Sequence, residues 1–246
     1  MSFILYQARV RQSFHRLLTL GLPLALVFTW LSVDVSMLLY TKFNAPPLLL
    51  RPGDIFLIPL CLGMGTIGRD VSEGLLPVLL TRPMRRSSYV LSHWAALGTV
   101  ASFWALLHLL LQWGLIQIAT YQPPHSIELL YNALGRVSLC FGMAATLVCF
   151  SSRLPAFGNL VLWGVLYYLM DQVLPGFGQT PSILEFTFTA RQYLKGLLLP
   201  ELDFRRTFAA TPISWFRLTT YASNVSLLLL LAIYVFNRRE VSYASR

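Results

Sequence analysis

The chain is predicted to be an all-α membrane protein: a helical bundle of about six transmembrane helices in one domain, residues 1–246. Three observations lead there. The 246 residues are 56% hydrophobic and 12% charged, with a mean hydropathy of +0.61, far too apolar for a soluble domain of this size. The apolar residues gather in runs that approach or exceed the roughly 20 helical residues needed to cross a hydrocarbon core of about 30 Å. The basic residues fall mainly between these runs, as topology signals do.

Taken in order, residues 2–16 mix Phe3, Leu5, Tyr6 and Val10 with Gln7, Arg9, Arg11 and Gln12, which suits a helix lying in the cytoplasmic interface and equally an ordinary basic flank. No small-residue cleavage site follows, so no signal peptide is expected. The expected spans are 17–40, 54–68, 89–120, 129–150, 156–174 and 220–236. The second starts from Pro52, Gly53 and Asp54 and is short unless its helix continues past Arg69. The third is over-long and is expected to begin in the cytosolic interface. Between the fifth and sixth spans, residues 175–219 form an external excursion too apolar for a solvated loop, with Ile183, Phe186, Leu194, Leu197 and Leu198. Pro181, Ser182 and Glu185 fit a helix cap, and Pro200 is expected to stop the helix. Short helices packed on or dipping into the outer leaflet are predicted there, because lipid cannot satisfy irregular backbone.

Orientation follows from the 19 Lys and Arg. With the N-terminus inside, cytosolic segments carry Arg9, Arg11, Arg16, Arg69, Arg82, Arg85, Arg86, Arg153, Arg238, Arg239 and Arg246, whereas the first two external connectors carry only Lys42 and Arg51. Both termini are therefore placed in the cytoplasm, in a multi-pass protein of the plasma (bacterial inner) membrane. The net charge of +9 reads as a topology and lipid-headgroup signal rather than a nucleic-acid footprint. Cys61, Cys140 and Cys149 all fall within spans and are read as packing residues, with no metal cluster and no disulfide.

Several local patterns have structural readings. Gly63, Gly65 and Gly68 match G-x-G-x-x-G, yet they lie inside a span, with no preceding strand and no acidic residue at dinucleotide-binding distance; close helix packing is the better account. Asn224 and Ser226 form a glycosylation sequon buried in the last span. His93 and His108 on one long helix invite a haem reading, but His15 and His125 offer no matching pair on a second helix. His108 and Gln112 share a helical face at i, i+4, as residues lining a polar route or joined across helices would. Charges within spans cost about 2.5–3.5 kcal/mol near the centre on insertion scales. Asp34, Arg136 and Asp171 carry that cost, and Arg136 is expected to pair with one or both carboxylates or, alternatively, to serve a gate or substrate contact. No Ser-His-Asp ordering, nucleophile elbow, H-E-x-x-H or P-loop is present, so the chain shows no hydrolytic machinery of its own.

The most informative stretch is 67–94, a polar basic connector between two apolar runs. Arg69, Asp70 and Glu73 crowd the end of a span; Gly74 and the apolar run Leu75, Leu76, Pro77, Val78, Leu79, Leu80 follow; Arg82, Pro83, Arg85 and Arg86 make a stiff basic turn. A generic positive-inside connector accounts for the arginines but not for this order of elements. The order resembles the loop of type-2 ABC transporter permeases, which usually have Glu, Thr and Lys where this chain has Asp70, Leu75 and His93. The resemblance extends more loosely over the chain, from an interfacial N-terminal helix to the basic tail at Asn237, Arg238, Arg239 and Glu240.

The resemblance implies a transport subunit with no ATPase site. A short coupling helix, about 71–80, would seat in a cytosolic ATP-binding subunit, with Arg69, Asp70, Glu73, Gly74, Leu75, Leu76, Leu79, Pro83 and Arg86 as the contact set. ATP and Mg²⁺ would bind that partner and no cofactor this chain; a second permease copy or related permease, and membrane lipids, complete the expected partners. The alternatives are a polytopic lipid-modifying membrane enzyme and an accessory subunit of a membrane complex. The apolar interior leans towards export of a hydrophobic, amphipathic or peptide-like substrate.

Overall fold

The computed structural model of the protein describes residues 6–8, 10, 17–40, 55–63, 67, 70, 85–120, 126–169, 181–208 and 214–238. Every regular element among the described residues is helical: α1 Leu17–Tyr40, α2 Leu57–Gly63, α3 Arg86–Thr120, α4 Ser126–Ser151, α5 Ala156–Tyr168, α6 Pro181–Leu198, α7 Phe204–Phe208 and α8 Trp215–Asn237. Three stretches are long and apolar enough to cross a membrane, Arg86–Gln117, Ser126–Ser151 and Trp215–Asn237. The expectation of six crossings is met to that extent and no further. α1 has the length expected of the first span, with its apolar stretch at Pro23–Ser32. α2 is much shorter than 54–68, although Ile67 and Asp70 beyond it are also helical.

α4 is the axis of the bundle. It packs most extensively on α3, then on α8, and also meets α2, α5 and α7. Its sequence permits this, because Ser138, Cys140, Gly142, Ala144, Ala145, Cys149 and Ser151 are small and buried, so neighbouring helices approach closely where lipid provides no hydrophobic drive to associate. Gly63 of α2 is held by the same logic: a Cβ there would come within 2.7 Å of Leu147 and 2.9 Å of Leu97. One of the three glycines of the G-x-G-x-x-G pattern is thus a packing residue. The main core joins Val27, Ile58, Leu97, Trp104, Met143, Leu147 and Trp163, with Trp163 stacked on Phe56. On α8 the exposed Leu227, Leu230, Leu231 and Tyr234 repeat at helical spacing and form the face left for lipid.

At the amino end, Tyr6–Ala8 and Val10 are helical, and the chain folds back onto α3 and the main core. The Tyr6 hydroxyl donates to Thr99 Oγ1 at 3.2 Å, and Val10 touches the core.

The chain between α6 and α7 enters the bundle. α6 begins at Pro181, so Ser182 sits inside its first turn and is not the N-cap that the sequence suggested; proline at the first helical position accounts for the start. The helix ends at Leu198, and the irregular chain that follows is buried at Leu199, Pro200 and Leu202. A Cβ on Gly142 would lie 2.1 Å from the Pro200 carbonyl oxygen, so only glycine lets the connector lie against α4 here. The exposed backbone groups are taken up by side chains. Thr146 Oγ1 donates to Leu198 O at 3.0 Å, Leu202 N donates to Ser138 Oγ at 3.1 Å, and Asn224 Nδ2 donates to Gly196 O at 3.0 Å. Thr146 and Ser138 are eight residues apart, so the irregular chain climbs about 12 Å along α4 at 1.5 Å per residue. The sequon residue Asn224, half-buried, therefore serves the backbone of α6.

Candidate functional site

The buried side chains of Asp70, His93, His108, Gln112 and Arg136 fall into two polar clusters. The first lies at the base of the loop between α2 and α3. Asp70 is only 3% exposed, and its Oδ2 accepts a hydrogen bond from the Tyr89 hydroxyl at 2.5 Å. His93 Nε2 is 3.5 Å from the same oxygen, too long for a strong hydrogen bond. Tyr89 and His93 are four residues apart on α3 and present one face, their rings 4.5 Å apart. Tyr89 also stacks on Phe236 at 5.3 Å, while the Arg86 guanidinium donates to the Asn237 carbonyl at 2.8 Å. The carboxylate that ends the α2 region is therefore joined through α3 to the last turn of α8.

The second cluster lies within the α3–α4 contact. Arg136 is 2% exposed. Its Nη1 donates to Ala105 O at 3.2 Å and contacts His108 Nδ1 at 3.0 Å, and its Nη2 donates to Gln112 Oε1 at 3.0 Å. Because a guanidinium can only donate, His108 Nδ1 is the acceptor, and the imidazole carries its proton on Nε2 and is neutral. The His108 ring also meets Trp30 of α1 edge-on at 5.5 Å. Residues 105, 108 and 112 follow the helical repeat, so these three partners of Arg136 lie on a single stripe of α3.

Of the residues singled out from the sequence, the structure brings together Arg136, His108 and Gln112. The side chain of Asp34 and all of Asp171 lie outside the described residues, as do Arg69, Glu73, Gly74, Leu75, Leu76, Leu79 and Pro83 of the loop. Asp70 points into the bundle. Two groups of participants were not anticipated. Tyr89 is one, since a tyrosine near a span end reads by itself as an interfacial aromatic. Ser138 and Thr146 are the other, since hydroxyls in an apolar helix ordinarily bond back to their own turn, as Ser138 also does to Gly135 O at 2.8 Å.

Next to the second cluster, a cavity of about 260 Å³ opens between α4 and the chain at 201–205, lined in part by Tyr131, Asn132, Arg136, Glu201, Asp203 and Arg205. Among the described residues no three His, Cys, Asp or Glu side chains gather as a metal-ligand set. Cys61, Cys140 and Cys149 are free thiols. No protein-family model matches the chain, and no curated protein is significantly similar to it.

Proposed function

We propose that the chain is the membrane-spanning permease subunit of an ABC transporter, moving substrate with ATP hydrolysed on a separate cytosolic subunit. The observation that carries this reading is the loop at 70–86, where an acidic residue, a glycine, an apolar run and a proline-basic turn follow one another between two helical stretches. The geometry at its two ends supports it. Asp70 is bound to Tyr89 on α3, and Arg86 reaches the α8 terminus at Asn237. A loop tied in this way to two long helices can pass a push from a docked partner into the bundle. Two permeases would pair to form the pathway, and ATP and Mg²⁺ would be held by the partner subunit.

The test combines docking and turnover. Leu76→Glu places a charge on the apolar ridge expected to seat in the ATP-binding subunit and should abolish its pull-down, because a buried unpaired charge is costly. Asp70→Asn should leave pull-down intact and lower substrate-stimulated ATPase activity in reconstituted membranes. If both variants bind and stimulate like the wild type, the loop is not the coupling element and the reading fails.

A further inference from the structure

The last turns of α6 lie at a depth that their side chains do not suit for contact with lipid. The Gly196 carbonyl accepts a hydrogen bond from Asn224 Nδ2 at 3.0 Å. Asn224 is nine residues from Trp215 and thirteen from Asn237 on α8, a helix long and apolar enough to cross a membrane. At about 1.5 Å per residue the contact therefore lies about 14 Å from one end of that helix and about 20 Å from the other. Two residues further, Leu198 O is held by Thr146, well inside α4. The nearer end of α8 carries the exposed Trp215, Phe216 and Arg217, the aromatic and basic marks of headgroup depth on a membrane protein.

At this depth α6 presents a polar side. Thr189, Gln192 and Lys195 follow one another at i, i+3 and i+6, share a stripe of the helix and are all exposed. Gly196, one turn below Gln192, continues the stripe, and a Cβ added there would meet nothing within 4 Å, so the space beside it is open. Leu194, two residues on from Gln192, faces the opposite way and is also exposed. The charged residues of α6 with described side chains are Arg191 and Lys195, both positive, and Lys195 enters no ion pair among the described residues. A four-carbon stem reaches back roughly 6 Å, about half of the way to the Trp215 end. Ionisable side chains inside a membrane are found facing an opposite charge or a water-filled cavity.

We propose that the stripe of Thr189, Gln192, Lys195 and Gly196 lines a water-filled vestibule that enters the membrane from the Trp215 end of α8 and favours anionic solutes, with Lys195 supplying the charge. The opposite side of α6, at Leu194, faces lipid, so this helix separates the two. The inference needs α8 to cross the membrane and does not rest on the transporter reading.

The test uses the full chain in phosphatidylcholine nanodiscs, with a cysteine added in turn by Thr189→Cys, Gln192→Cys and Gly196→Cys and its labelling read by intact mass against the wild type with its own three thiols. The reagents are the anionic sulfonatoethyl and the cationic trimethylammonioethyl methanethiosulfonates, which react with the thiolate and so require water at the site. All three positions should react about tenfold faster, or more, than Leu230→Cys on the lipid face of α8, although Leu230 is 67% exposed. After correction for their rates with a free thiol, the anionic reagent should be favoured about fivefold at Gln192→Cys, the size of effect that one partly screened charge supplies. Adding Lys195→Gln should remove most of that preference. Labelling of all three positions as slowly as Leu230→Cys would mean that the stripe faces lipid, with Lys195 drawn up towards the headgroups, and overturns the vestibule. Equal corrected rates for the two reagents, or a preference that survives Lys195→Gln, overturns the assignment of anionic solutes to Lys195. No ATP-binding subunit is present in the assay, so its failure and the failure of the transporter reading are separate events.

Discussion

The two buried polar clusters solve opposite problems. Arg136 is a cation bonded to three groups on one stripe of a neighbouring helix, Ala105 O, His108 Nδ1 and Gln112 Oε1. Asp70 is a buried carboxyl group bound to a tyrosine hydroxyl and approached by a histidine ring nitrogen. The first arrangement fastens α3 to α4. The second draws three separate parts of the chain together, the end of the α2 region, the start of α3 and, through Tyr89 and Phe236, the end of α8. A polar group in the middle of a long contact rigidifies; a polar group where a loop enters the bundle couples the loop to what lies behind it.

The largest expected effect is on the cation. His108→Leu combined with Gln112→Leu removes two acceptors from a buried guanidinium and should destabilise the protein by about 3–5 kcal/mol, the range found when a buried charge is stripped of its compensation. Unfolding in detergent, followed by loss of the monodisperse species on heating, would measure it. The accompanying cycle is sharper still. Gln112→Leu should cost about 1.5–3 kcal/mol in the wild type and far less in an Arg136→Met background, because the acceptor matters only while the charge is there. Equal costs in both backgrounds would mean that Arg136 is not solvated by α3.

A smaller stability effect and a larger functional one are expected at the loop. Tyr89→Phe keeps the stacking with Phe236 and deletes only the hydroxyl that bonds to Asp70, so stability should fall by about 1–3 kcal/mol, the cost of leaving a buried polar group without its partner. On the proposed transporter reading, if coupling runs through this bond, stimulation of an ATP-binding subunit's ATPase should fall while pull-down is retained. A variant that loses stability but couples normally would reduce the Asp70 cluster to the same structural role as the Arg136 cluster.

How much of this was legible in the sequence depends on whether the signal was local. Helix positions were legible from apolar run length, and α1 and α3 to α5 begin within about three residues of their expected starts. The number of crossings was not, because short apolar helices such as α2 and α5 carry the same composition as a span at a fraction of its length. His108 and Gln112 were visible as a pair, since i, i+4 spacing fixes a shared face. Their attachment to Arg136 was not, because the register of one helix against another is set by the small residues between them. The penetration of the chain at 198–202 into the bundle left only Pro200 as a trace in the sequence; the glycine that receives it, Gly142, is 58 residues away and unremarkable where it stands.

The smallest expected effect separates burial from mere distance in sequence. Arg86 donates to the Asn237 carbonyl at 2.8 Å, a bond that spans 151 positions, more than any in either cluster. Its length is better than that of the Arg136 contacts, and on geometry alone it would rank beside them. The site, however, is exposed, and water can take over both the guanidinium and the carbonyl once the side chain is shortened. Arg86→Gln should therefore shift stability by no more than about 1 kcal/mol, the ceiling for exposed charged contacts, and raised salt should shrink even that. Thermal midpoints of Arg86→Gln and Tyr89→Phe, compared at low and high salt, provide the check. A loss at Arg86 equal to that at Tyr89 would show that this end of α8 is more deeply enclosed than its surface suggests, and that the loop is anchored at both ends with the same strength.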